Sequence, residues 1–488
     1  MTELQHAAKA TRPRIQPAEE GDRRPLSVSA RLGRLQFHQS GKFRVLQFAD
    51  IQDGPKVSKD TISLIEASLD ATRPDFVIFN GNQIAGYDSA YALTSRKRRW
   101  DARPASASSE ASGERYAAAL EHTRELVRAT IEQLVHPLAD RGVPWAVTFG
   151  NHDFQCGLDN DEIESICREF PGCINPERAA DGTTGIAVKH GVKHDVGDME
   201  QDFGLPEQPV IACAPGTFAL SVTDVDRTYD VLGLVLLDSG DYARSGGYGS
   251  PSEAALRFLA DAPGLMAAQS QQLQQDRQDD EQDSPREPRK TPSTLPCMVF
   301  QHFPIEQYYR LLKPVAATAA RAIEGYRNFA GRHFVLNEDK TQPGSYLGEG
   351  VSCPDADSGE FAILDKAGYF AISAGHDHRN AFVGSVPVGT DGDRQMMMVA
   401  SPTSGFGSYG PVPAKRAARL FEFDIRHPYE PRTQLLEYDE LVGKPSAGKA
   451  YAYGMTSESK PDSEGMDLLH RPTWWSKTWN KLVSLFRR

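Results

Sequence analysis

At 488 residues the chain is longer than one ordinary compact core, so it has room for several domains or for one large domain with insertions. Hydrophobic residues at 39% and charged residues at 25% place it among chains that fold. A formal charge of −12 excludes a general nucleic-acid binder, which needs surplus Lys and Arg to neutralise phosphates, and no apolar run reaches the roughly 20 residues that span a bilayer.

The first 24 residues are polar and lack the apolar stretch of a secretory signal. The six cysteines are scattered without a Cys-x-x-Cys pair, which reads as idle or buried thiols in a reducing compartment. The cytoplasm is the expected location.

Residues 1–40 read as a polar N-terminal arm, and 41–440 as the main domain. Strand-like runs follow at Phe43–Phe48, Phe76–Phe79, Trp145–Phe149, Tyr229–Leu237, Met298–Phe300, Phe370–Ser373 and Met396–Ala400. Helices are predicted over Ser58–Thr72, where Ile62, Ile65 and Leu69 recur at helical spacing, and over the Ala/Leu-rich Glu114–Arg141. Strand–helix alternation implies a sheet covered by helices, and the closely spaced later strands imply a second, partly antiparallel sheet. Two stretches, near 95–113 and 267–296, are too polar to pay for ordering and read as mobile insertions. Residues 441–471 read as a polar linker.

Five strand-like runs end in metal-competent residues: Ala49-Asp50-Ile51-Gln52-Asp53, Asn80-Gly81-Asn82-Gln83, Gly150-Asn151-His152-Asp153, Gln301-His302-Phe303-Pro304 and Gly375-His376-Asp377-His378. Any one alone is a weak signal. Sites in α/β sheets form beyond the carboxyl ends of strands, so five bursts point to one converged site. His190 and His194 sit in a Gly-broken stretch and read as loop histidines. Asp238 and Asp241, after an apolar strand, read as turn residues.

The order of these motifs resembles that of the calcineurin-like metallophosphoesterases, and within them the purple-acid-phosphatase-like branch. The branch likeness includes Leu237–Tyr242, Phe300–Pro304 and Lys415–Asp424, and the whole resemblance spans Phe43 to Asp424. It implies an α/β fold, a four-layer αββα sandwich of two mixed β-sheets flanked by helices. It implies one or two divalent ions (Mn, Fe or Zn) held by Asp50, Gln52, Asn82, Asn151, His302, His376 and His378. His152 matches the group that protonates the leaving oxygen, and Asp153 the acid that orients it. Metal-activated water is then the nucleophile, and the substrate is a phosphorylated compound of unspecified class.

Two positions depart from the family pattern. Gln52 stands where the family has His, and Asn82 where it has the metal-bridging Asp. Two divalent ions at bridging distance repel by roughly 18 kcal/mol at an effective dielectric near 20, and a neutral amide does not offset this as a carboxylate does. Asp53, one residue past Gln52, is a candidate substitute ligand. The expectation is a metal-dependent phosphoester hydrolase. The alternative is an impaired pseudophosphatase that binds a phosphorylated ligand or a protein partner.

The C-terminal residues 472–488 read as an amphipathic helix. Trp475, Trp479, Leu482 and Phe486 lie at i, i+4, i+7 and i+11, opposite Lys477, Lys481 and Arg488. That pattern suits peripheral contact of 473–488 with the inner membrane face, and equally suits docking on protein.

Overall fold

The structure is a computed structural model and describes residues 24–101, 110–177, 185–188, 204–280 and 293–443. Apolar residues on both faces of its first strand decide the layering. In Lys42–Phe48, Phe43 and Val45 join one buried cluster while Leu46 and Phe48 join another. Successive side chains of a strand point to opposite faces, so this strand is covered on both sides.

A five-stranded sheet runs Arg432–Glu437, Ala417–Asp424, Lys42–Phe48, Phe76–Asn80, Trp145–Thr148, with the last three parallel. An eight-stranded sheet runs Val383–Val388, Arg394–Ala400, Tyr369–Ala374, Cys297–Gln301, Asp230–Leu237, Thr217–Thr223, Pro209–Ala214, Gly185–Val188. Its four strands from Arg394–Ala400 to Asp230–Leu237 are parallel and the rest antiparallel.

Between the sheets lies a core that includes Val45, Phe76 and Ile78 from one side and Leu234, Leu236, Met298 and Phe300 from the other. Outside the first sheet, Leu46, Phe79 and Trp145 pack with Ile65, Leu69, Val127 and Ile131 of helices Lys59–Thr72 and Glu110–Arg141. Outside the second, Val235 and Val299 pack with Leu259, Ala262 and Met266 of helix Glu253–Asp280. These are four layers, helix–sheet–sheet–helix, as expected.

The seven predicted strands all appear, with ends shifted by at most two residues. Helix Lys59–Thr72 begins where Ser58 caps it, its side chain accepting from the Asp60 N–H. Three boundaries differ. The polar arm stops short of residue 40, because Leu35 and Phe37 are wholly buried between the sheets. The segment 267–296 opens as helix up to Asp280, since its Ala- and Gln-rich start is a good helix former. Of 95–113, Arg96 and Arg99 are fixed by ion pairs and residues 110–113 belong to a helix. His190, His194, residues 444–471 and the C-terminal 472–488 lie outside the described residues.

Candidate active site

The parallel strands of both sheets point their carboxyl ends the same way, and the five motifs leave those ends together. The bond from Asn80 Nδ2 to the Gln301 carbonyl, 2.7 Å, ties the two sheets at this edge. Among the described residues eight non-glycine positions have positive φ, and Asp50, Gln52, Asn82 and His376 are four of them. Backbone held in this sparsely populated region concentrates where a site is pre-formed. Close approach requires glycine at two neighbours. A Cβ on Gly81 (φ 90°) would lie 2.6 Å from His302 Nδ1, and one on Gly150 would lie 2.2 Å from Asn82 Oδ1.

Asp50, Gln52, Asn82, Asn151, His302, His376 and His378 are all brought together, and all are buried. Asp50, His302 and His376 place ligand atoms within 4.8 Å of one another. Asp50 Oδ1 lies 3.3 Å from His378 Nε2 and 3.7 Å from His302 Nε2, while Oδ2 accepts the His376 N–H at 2.6 Å. Burial alone would raise the Asp50 carboxyl, but His302, His378 and His376 around it bring it below the usual carboxylate range. Burial lowers His302 and His376. Burial thus disfavours the charged form of these two rings, and the bond each outer nitrogen makes sets which way a ring faces. His302 Nδ1–H donates to the Asn80 carbonyl at 3.2 Å, and His378 Nδ1–H to the Tyr409 carbonyl at 2.7 Å. Each Nε2 thus faces inward. Asn151 likewise turns its Oδ1 inward, because its Nδ2 donates to Tyr242 Oη at 2.7 Å.

A ring of inward acceptors demands something positive at its centre. Asn82 supplies it: Nδ2 lies 2.8 Å from His302 Nε2, 3.1 Å from Asp50 Oδ1 and 3.2 Å from Asn151 Oδ1. Gln52 does the same for the other half, with Nε2 3.2 Å from His378 Nε2 and Oε1 accepting from Tyr87 Oη at 3.0 Å. The two family departures are thus the two donors of the cluster. His376 Nε2 is left buried without a hydrogen-bond partner.

Three expected roles change. Asp153 does not orient His152. Its carboxylate gathers the backbone N–H groups of Asn82, Gly150, Gln83 and Ile84 at 2.7–3.2 Å and so holds two motif loops together. Burial pushes its carboxyl up to about 7 against the pull of those four donors. The group on His152 Nδ1 is Gln155, its Oε1 2.7 Å away. Burial brings His152 down to about 4. Asp53 is not a substitute ligand, because Oδ2 accepts from the Ser58 N–H and from Thr61 Oγ1 at the start of the helix that follows. Asp238 exceeds its turn role, accepting the Arg99 guanidinium at 2.8 and 3.0 Å besides the Gly240 N–H.

Sequence reasoning also missed an aromatic collar. Tyr248 meets His376 edge-on at 4.3 Å, Tyr409 stacks on His378 at 4.1 Å and Tyr87 meets His152 at 4.8 Å. Tyr242 ends the run Leu237–Tyr242 and Gln155 lies two residues past Asp153, and that placement was the signal for them.

Residues 43–211 match the family described as calcineurin-like phosphoesterase. The sandwich and the strand-end cluster agree with that match, and the chain is similar to the calcineurin-like metallophosphoesterases. The curated proteins it is similar to include members of the purple acid phosphatase family. It is 19% identical over 479 residues to probable inactive purple acid phosphatase 29 of Arabidopsis thaliana, covering 94% of this chain and 92% of that protein. It is 21% identical over 388 residues to phosphatase DCR2 of Saccharomyces cerevisiae, covering 74% of this chain and 47% of that protein. A dimetal phosphatase from Danio rerio aligns at 10% identity over 81% of this chain and 99% of that one, with a TM-score of 0.36.

The family is one of phosphoester hydrolases and implies divalent metal ions. The donor set fits one ion: Asp50, His302 and His376 converge, and the unpartnered His376 Nε2 faces a cation's place. It does not fit a bridged pair. Asn82 Oδ1 accepts the His152 N–H at 2.9 Å, so the amide nitrogen, which has no free lone pair, must face the cluster. No helix among the described residues is long and apolar enough to cross a membrane.

Proposed function

We propose that the chain is a phosphoester hydrolase reduced to a one-ion site, better at holding a phosphoryl group than at turning it over. The observation that carries this is the Asn82 amide, whose nitrogen is directed into the centre of the ligand ring by the His152 N–H. Asp50, His302 and His376 would hold one ion of the Mn, Fe or Zn kind, which when bound supplies Lewis acidity and an activated water. Gln155 accepts from Nδ1–H and fixes the ring of His152, leaving the Nε2 lone pair toward Asn151 at 3.3 Å, so His152 passes a proton to a leaving oxygen only after Nε2 has itself been protonated. Asp153 keeps that loop in register through backbone bonds alone.

A second reading has one specific observation in its favour. Gln52 and Asn82 already donate to His378, His302 and Asp50, so the ring is largely satisfied without metal. A pseudophosphatase that binds a phosphorylated ligand or partner follows from this, in line with the word inactive in the plant relative's name. Metal analysis of the purified chain, with an aryl-phosphate assay across Mn²⁺, Zn²⁺, Fe²⁺ and Mg²⁺, separates the two. About one ion with slow, chelator-sensitive hydrolysis supports the first. Phosphate binding with no ion and no turnover supports the second, and two tightly held ions overturn both.

A further inference from the structure

A site that gives up an ion gives up positive charge, and the phosphoryl oxygens still need a counter-charge. The segment Arg96-Lys97-Arg98-Arg99, read from sequence as part of an insertion, lies at the edge of the site. Gln155 Nε2 donates to the Lys97 carbonyl at 3.1 Å while its Oε1 meets His152, so this segment and His152 share one amide.

The arginines of this segment are not equivalent. Arg96 pairs with Asp159 and is buried. Arg99 pairs with Asp238 through both of its terminal nitrogens. Their charges are spent on carboxylates. Arg98 has no carboxylate on its guanidinium among the described residues; one nitrogen donates to the Lys97 carbonyl, and Asp101 holds its backbone N–H. Its guanidinium lies 3.7 Å over the ring of Tyr242. The hydroxyl of that same ring accepts from Asn151 in the ligand cluster. Arg98 is half-buried, whereas Lys97 beside it is exposed. A guanidinium stacked on an aromatic face is held in place with its remaining N–H donors available, the geometry suited to phosphate oxygens.

We propose that Arg98, positioned by Tyr242 at the edge of the Asn151–His152 loop, binds the phosphate oxyanion of the substrate and supplies the charge that a second ion gives in a bridged site. This rests on the site binding phosphoryl groups at all, and the test separates the two claims.

Inorganic phosphate is titrated calorimetrically into the full chain, with metal content measured on each sample. Arg98→Gln is expected to weaken phosphate binding about tenfold or more, with Arg98→Lys in between because it keeps charge but loses the flat stack. Lys97→Gln should bind as the parent does. Metal content and melting temperature should stay unchanged in all three. In an Asn82→Asp, Gln52→His background, where a second ion can enter, the Arg98→Gln loss should shrink. If the parent binds phosphate and Arg98→Gln binds it equally well, the Arg98 role is wrong while the site reading stands. If the parent binds no phosphate, with or without Mn²⁺, both fall. A melting-temperature loss with unchanged affinity would make Arg98 a packing residue and overturn the proposal.

Discussion

The side-chain oxygen of Asn82 accepts the backbone N–H of His152 at 2.9 Å, and that one bond decides which end of the amide faces the ligand ring. A carboxylate in the same place would keep the bond with one oxygen and offer the other to metal. An amide keeps the bond and offers a donor. The exchange converts a position that attracts cations into one that stands in for them.

Asn82→Asp with Gln52→His should therefore raise bound metal from about one ion to two and raise aryl-phosphate turnover with it. Without metal, the same variant should be less stable than the parent by roughly 2 kcal/mol, because Asp50, Asn151 and His302 lose their buried donor and face a second carboxylate. Elemental analysis and melting curves with and without chelator check both halves. A variant as stable as its parent in chelator would show that the amide is not filling a cation's place.

Gly150 tests the same bond from the other side. A Cβ there meets Asn82 Oδ1 at 2.2 Å and His302 Cδ2 at 2.8 Å, so Gly150→Ala must push both away. Overpacking of this kind costs about 1–3 kcal/mol. Metal content and phosphate binding should fall together with the melting temperature. Ala tolerated at this position without loss would mean that the loop relaxes freely and that Asn82 is not locked.

What the sequence made legible was whatever repeats or clusters. The inner strands are runs of buried apolar residues, so Phe76–Asn80 and Cys297–Gln301 stood out. The ligand residues stood out because each follows such a run. The missed strands include short ones with slight burial, such as Leu312–Val315 and Ile323–Glu324, and also longer buried ones, Thr217–Thr223 and Ala417–Asp424. Roles set by long-range hydrogen bonds were not legible. Nothing adjacent in sequence says that Asp153 serves the backbone of residues 82–84 rather than its neighbour His152, or that helix Lys59–Thr72 claims Asp53. Side chains of one type can serve the loop or the ligand, and only the fold decides which.

His152 is expected to matter for turnover through its ring, and Gln155 only through His152. His152→Ala should lower hydrolysis by roughly 10²–10⁴, the usual scale for a proton donor, and the loss should be smaller for aryl phosphates with good leaving groups. Gln155→Leu should cost less, with a steeper dependence on the leaving group than the parent, because Nδ1 loses its 2.7 Å partner and the ring loses its fixed direction. Asp153→Asn should leave the leaving-group dependence as it is and lower the melting temperature instead. Equal losses for good and poor leaving groups in His152→Ala would assign that residue to phosphate binding rather than proton transfer.

Glu360 gives the fold a pH dependence that is separate from the site. It opens the helix Glu360–Ala367, is buried, and leaves one oxygen without a hydrogen-bond partner. Burial pushes its carboxyl up to about 7 from an ordinary 4.5. The folded state therefore holds a proton here that the unfolded state has already lost between pH 4.5 and 7. Its contribution to stability is fully present below about 4.5, declines as pH rises, and is gone once pH passes about 7. The span corresponds to roughly 3 kcal/mol as an upper bound. Glu360→Gln keeps the shape and removes the titration, so the difference in unfolding free energy between variant and parent should grow in the variant's favour from pH 5 to pH 7.5. Urea melts at half-unit pH steps across that range measure the difference directly, with the other titrating groups cancelling between the two proteins. A difference that stays flat with pH would mean that Glu360 ionises in the folded chain as freely as in the unfolded one, through water or a shift of the helix end toward solvent.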